Sequence, residues 1–138
     1  MAKTQKKVLV TGASGYLALH CIYELLENGF CVRGSLRDIK KEREVRRALG
    51  NKIKGDNFEV CELNLMDDYG WDISTSNCDY LMHIASPCIV KEPKDEKEII
   101  DPAVKGTLRA LKAAHKSSVK KVILTSSIGS IVFGHNKE

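Results

Sequence analysis

The sequence predicts an α/β fold, a doubly wound parallel sheet with helices on both faces and strands ordered 3-2-1-4-5. Two observations predict it. Apolar runs of strand length alternate with longer amphipathic stretches, the pattern that right-handed crossovers turn into a parallel sheet. The first apolar run, Val8-Leu9-Val10, then leads through a turn of small residues straight into a helix, the local context of a dinucleotide-binding turn. At 138 residues the chain is long enough for a proper core, and residues 1–138 read as one domain.

The elements follow in order. In Lys7–Leu17, KVLVTGASGYL, residues Gly12, Gly15 and Ala18 have the spacing of the turn. Gly12 permits a tight reversal, Gly15 a close backbone approach, and Ala18 a helix lying close on its strand. The helix is predicted over Tyr16–Asn28, with Leu17, Cys21, Ile22, Leu25 and Leu26 on one face and Asn28-Gly29 as its stop. Phe30–Leu36 is the second strand. Ile39–Leu49 is a highly charged helix with only Ile39, Val45, Ala48 and Leu49 to bury. Phe58–Leu63 is the third strand, followed by a loop with Asp67, Asp68 and Trp71. Tyr80–Ile84 is the fourth, followed by a loop marked by Pro87 and Pro93. A long helix over Glu96–His115 and a fifth strand over Lys121–Ser126 complete the pattern. A ligand crevice is expected between the C-terminal ends of strands one and four.

Composition narrows the function classes. Apolar and charged fractions of 43% and 29% are those of an ordinary soluble protein, and no apolar run approaches membrane-spanning length. MAKTQKK leads straight into a strand, so no signal peptide is expected and the chain reads as cytoplasmic. A net charge of +4 does not by itself suggest nucleic acid, and the basic Arg33–Lys54 segment lacks interleaved aromatics. The five cysteines (Cys21, Cys31, Cys61, Cys78, Cys88) form no Cys-x-x-Cys pair or ligand cluster. They read as reduced, buried residues, and no metal site is expected.

The chemistry gathers at the turn. A helix N-terminus presents unpaired N–H groups and the positive end of its dipole, which suits a pyrophosphate. Gly12, Ser14, Gly15, Tyr16 and Leu17 are therefore candidate cofactor-binding residues, Ser14 adding a hydroxyl within reach of a phosphate oxygen. The second strand ends in VRGSLRD. Arg37 stands where the 2′-phosphate of NADP would lie, with Arg33 near it; guanidinium makes a forked contact that ammonium cannot. Lys40, Lys41 and Arg43 could add to the field, and Asp38 could take the 2′-hydroxyl of NAD instead. NADPH is the expected cofactor, with NADH left open.

Five segments together, TGASGYL, VRGSLRD, HIASP (His83–Pro87), PAVKGT (Pro102–Thr107) and VILTSS (Val122–Ser127), resemble the extended short-chain dehydrogenase/reductase family. Within it they are similar to the branch of dihydroflavonol, cinnamoyl-CoA and methylglyoxal/ketone reductases. The resemblance implies a Rossmann-type fold and NADPH-dependent reduction of a small carbonyl substrate. It places Asn64 and Leu65 near the adenine, and Ile84, Ala85 and Ser86 along the cofactor ribose. It puts the catalytic serine at Ser127, with neighbouring Ser126 as the alternative. Gly106 reads as a close-packing position and His83 as a packed strand residue.

The family's proton donor is a tyrosine in a Tyr-x-x-x-Lys pair. Tyr16, Tyr23, Tyr69 and Tyr80 are the tyrosines here, and none has a lysine four positions on. The chain is therefore expected to be the cofactor-binding part of a longer reductase, inactive alone, its fifth strand an apolar edge prone to association. A non-catalytic dinucleotide sensor is the alternative reading. The loop Cys88–Lys94 is a possible wall of the substrate pocket, and the substrate itself and the oligomeric state are not legible.

Overall fold

A computed structural model describes residues 5–87 and 93–134 of the protein. Cys88 and most of the expected Cys88–Lys94 wall lie outside the described residues. Five strands, β1 (Lys7–Val10), β2 (Cys31–Leu36), β3 (Phe58–Glu62), β4 (Tyr80–His83) and β5 (Lys121–Leu124), pair in parallel in the order β3-β2-β1-β4-β5. This is the 3-2-1-4-5 order the alternation predicts. The helices are α1 (Tyr16–Glu27), α2 (Glu42–Leu49), α3 (Trp71–Thr75), α4 (Lys97–Lys116) and α5 (Gly129–Val132).

Alternation along β1 divides the core in two. Val8 and Val10 face α1 and α2, joining Ile22, Leu26, Val45, Leu49 and Phe58. Leu9 faces the opposite side with Leu81, Trp71 and the buried alanines of α4. Both sides of the central strand are covered, as parallel sheets require. Each fully buried Leu or Val contributes roughly 1.5–3 kcal/mol. Asp79, just before β4, accepts from the Lys7 amide (3.0 Å) that opens β1. Lys120 chiefly, with that amide and Lys6, holds the Asp79 carboxyl down to about 2.

Several boundaries differ from the sequence reading for identifiable reasons. The buried ridge of α1 is Ala18, Ile22 and Leu26, and Leu17 is 49% exposed because it sits in the first turn, at the crevice mouth. The charged helix is split into a 3-10 turn, Ile39–Lys41, capped by Asp38 Oδ1 accepting from Lys40 N (3.0 Å), and α2. Val45 and Leu49 are buried, while Ile39 and Ala48 stay exposed. Trp71 opens the five-residue α3 where a loop was expected; the helix is too short to show periodicity. Of the described cysteines only Cys78 is buried, and Cys21, Cys31 and Cys61 are half-buried. Burial pushes the Cys61 and Cys78 thiols up, away from reactivity. The β5 edge is open, with Ile123 and Leu124 about half exposed.

Gly106 packs as the sequence suggests: an added Cβ would lie 2.9 Å from Leu65 Cβ. Gly34 in β2 is tighter still, its Cβ position 2.8 Å from Ala13 Cβ and 3.2 Å from the Phe58 ring. Alanine is the better strand residue, yet Gly34→Ala should lower stability by about 1–3 kcal/mol because nothing there can yield cheaply. A urea midpoint equal to or above that of the unsubstituted chain would contradict this packing.

Candidate functional site

The C-terminal ends of β1, β2 and β4 and the first turn of α1 surround a cavity of about 630 Å³. It lies where a doubly wound sheet reverses its winding, the place where such folds bind ligands. The turn between β1 and α1 is built from its neighbours. Gly12 has φ +74°, a left-handed conformation suited to glycine, and its Cβ position is 3.0 Å from Ala85 Cβ. Ser35 grips the turn from β2: its Oγ accepts from Gly12 N (3.2 Å) and its carbonyl from Ala13 N (2.8 Å). Gly15 is the N-cap of α1 without a side-chain cap, and its own Cβ position is 3.2 Å from the Gly12 carbonyl. The first N–H groups of α1 are left without helical acceptors at the cavity.

Thr11 ties β1 to β4. Its Oγ1 accepts from both Ile84 N and Ala85 N (3.0 Å each) and lies 3.0 Å from His83 Nδ1. A hydroxyl with both lone pairs occupied has only its proton left to give, so Thr11 donates to an unprotonated Nδ1. Burial pushes His83 below its ordinary 6.5, in keeping with a neutral ring. His83 is thus a packed strand residue, edge-on to Trp71 (6.3 Å). Ile84, Ala85 and Ser86 emerge from β4 into the cavity wall.

On the far side, Arg37 and Lys41 line the cavity together with Asp38. Asp38 already caps the following turn, and Arg37 is exposed. Arg33 does not stand with Arg37. Its guanidinium points to the other face, donating to the carbonyls of Ile73 (3.2 Å), Ser74 (2.7 Å) and Ser76 (3.0 Å) and pairing with Glu59 (2.8 Å). Alternation alone would keep positions 33 and 37 on one face; Arg37 departs from it because β2 ends at Leu36, one residue earlier. Asn64 and Leu65 line the cavity, Asn64 Oδ1 accepting from Met66 N (3.0 Å).

The cavity therefore brings together Gly12, Ser14, Gly15, Tyr16, Leu17 and Arg37 from the first half of the chain with Asn64, Leu65, Ile84, Ala85 and Ser86. Ser127 stands apart from that lining. It is exposed, its Oγ accepting from Gly129 N (3.2 Å) at the start of α5; Ser126 is exposed too. Thr11, Ser35, Leu63 and Trp71 were not singled out, although the threonine before Gly12 and the serine two before Arg37 were legible as strand-end hydroxyls. Among the described residues no cluster of His, Cys, Asp and Glu could hold a metal, and no helix is long and apolar enough to cross a membrane.

Fold and crevice define a Rossmann-type nucleotide-binding class. Residues 8–138 match the NAD dependent epimerase/dehydratase family, and the chain belongs to it. Anthocyanidin reductase from Arabidopsis thaliana is 35% identical over 91% of this chain and 37% of its own length. Cinnamoyl-CoA reductase CAD2 from Medicago truncatula is 36% identical over 91% of this chain and 39% of its own length. The yeast methylglyoxal/isovaleraldehyde reductase Gre2, solved with NADPH, superposes with a TM-score of 0.77 at 28% identity, covering 89% of this chain and 37% of that one. The chain thus spans about two-fifths of the length of these relatives, and the resemblance to that reductase branch holds.

Because the folded chain resists protonating His83, the unfolded chain takes up the extra proton. Stability is complete above the ordinary pKa of 6.5 and is lost as pH falls below it. Urea midpoints at neutral pH and at about pH 5 should show this loss, and His83→Gln, which still accepts from Thr11, should show less of it. Equal acid losses in the two proteins would contradict the neutral-histidine network.

Proposed function

We propose that residues 1–138 form the dinucleotide-binding domain of a longer NADPH-dependent carbonyl reductase. One observation carries the reading: a single cavity joins the uncapped N-terminus of α1 to Arg37 and Lys41 at the end of β2. Its support is chemical. The free amides of α1 suit a pyrophosphate, and two cations at the end of β2 suit a 2′-phosphate. The residues fit such a group, since Gly12 keeps Ala85 and the turn in contact with no side chain intruding. The yeast reductase carries NADPH on the same fold.

Roles then follow for this chain's own residues. Gly12, Ser14, Gly15, Tyr16 and Leu17 hold the pyrophosphate, and Arg37 selects the phosphorylated ribose. Asn64 and Leu65 flank the adenine, while Ile84, Ala85 and Ser86 orient the nicotinamide ribose. The nicotinamide supplies the hydride. Ser127 hydrogen-bonds the substrate carbonyl, so that charge developing on its oxygen meets a fixed donor. Protonation of that oxygen is assigned to a tyrosine outside these 138 residues, because Tyr16, Tyr23, Tyr69 and Tyr80 have no lysine four positions on.

The 138-residue chain should bind NADPH more tightly than NADH and reduce no carbonyl. Arg37→Ala should weaken NADPH binding by roughly 10- to 100-fold and NADH binding little. Calorimetric titration with both cofactors checks this. Equal losses for the two, or carbonyl-dependent NADPH consumption by the chain, would overturn the reading.

A further inference from the structure

The loop between β3 and α3 walls one side of the cavity through Leu63, Asn64, Leu65 and Met66. Most of its bonds are local. Asn64 Oδ1 accepts from Met66 N and Asp67 Oδ1 from Tyr69 N (3.0 Å each). The Trp71 indole donates to the Asp67 carbonyl at 3.0 Å and, more weakly, to that of Asn64 at 3.4 Å. These bonds shape the loop without fixing it to the rest of the molecule. Its start is held to β2, Leu63 N donating to the Leu36 carbonyl (2.9 Å), and its middle is held to α4. Arg109 Nη1 donates to the Leu65 carbonyl (2.8 Å), and its Nε pairs with the Asp68 carboxylate. One helical turn earlier, Gly106 lets the Leu65 side chain settle directly on the helix backbone.

Burial separates this arrangement from an ordinary surface pair. The Arg109 side chain is only 19% exposed, while Asp68 is 86% exposed. An exposed ion pair alone contributes little. Here a rigid planar fork engages two points of one loop, a geometry that lysine cannot copy. Arg109 does not line the cavity itself.

We propose that Arg109 is a positioning residue, setting the adenine-side wall of the cofactor cavity through Leu65 and Asp68. The proposal rests on the dinucleotide reading above and adds to it a residue that touches no cofactor. Its consequence is asymmetric. Loss of Arg109 weakens recognition of the adenosine half of the cofactor and spares the nicotinamide half.

The test titrates the 138-residue chain with NADPH by calorimetry, and with adenosine 2′,5′-bisphosphate and nicotinamide mononucleotide by ligand-observed NMR. Arg109→Ala should weaken NADPH and adenosine bisphosphate binding about tenfold and leave nicotinamide mononucleotide unchanged, with Arg109→Lys recovering part of the loss. Without any ligand, the emission of Trp71, the chain's one tryptophan, should shift as the loop loosens. Asp68→Asn, on an exposed side chain, should give a smaller loss of the same pattern and serves if Arg109→Ala does not fold. Unchanged adenosine bisphosphate binding in folded variants, or equal losses for both halves, would overturn the Arg109 assignment alone. Failure of the unsubstituted chain to bind any of the three would remove the dinucleotide reading and this proposal with it.

Discussion

The structure depends on how closely the ends of β1 and β4 approach one another. The Thr11 hydroxyl accepts two amides from the strand end of β4 and gives its proton to His83, using all of its bonding capacity. Immediately beyond it, Gly12 meets Ala85 with no room between them. Ser35 fixes the same turn from β2. The first helix can then begin at Tyr16, with its N-terminus directed at the space left where the two halves of the sheet part. Were the turn a residue longer or the glycine replaced, the cavity would lose both its floor and its amides.

The same crowding explains the division of labour among arginines. Arg33, in the middle of β2, is spent on structure: it closes the C-terminal end of the short α3 by donating to its carbonyls. Arg37, one residue past the strand, is released toward the cavity. Arg109 holds the opposite wall from behind. Two arginines thus serve the scaffold and one faces the site, although all three look alike as letters.

Much of the fold was legible. Every strand begins or ends within two residues of the sequence reading, because each is a short stretch rich in apolar residues such as Val8–Val10 or Tyr80–Met82, bounded by turn and loop residues. The glycine turn was legible through its strand and helix context. What escaped is what local pattern does not carry. The five-residue α3 spans little more than one turn, too short for its pattern to repeat, and Trp71 packs under the sheet. The 3-10 turn at Ile39 depends on an Asp38 cap that competes with helix formation. Thr11 and Ser35 matter through bonds to residues 73 and 23 positions away, and Arg109 through a loop 44 positions away. Such partners are set by topology, which no window of sequence displays.

The most direct test of the central claim is a crystal structure of the chain with NADPH. The account predicts the pyrophosphate on the amides at the N-terminus of α1, the 2′-phosphate against Arg37 and Lys41, and the adenine beside Asn64 and Leu65. A cofactor bound elsewhere, or one whose 2′-phosphate turns away from Arg37 into solvent, would contradict it.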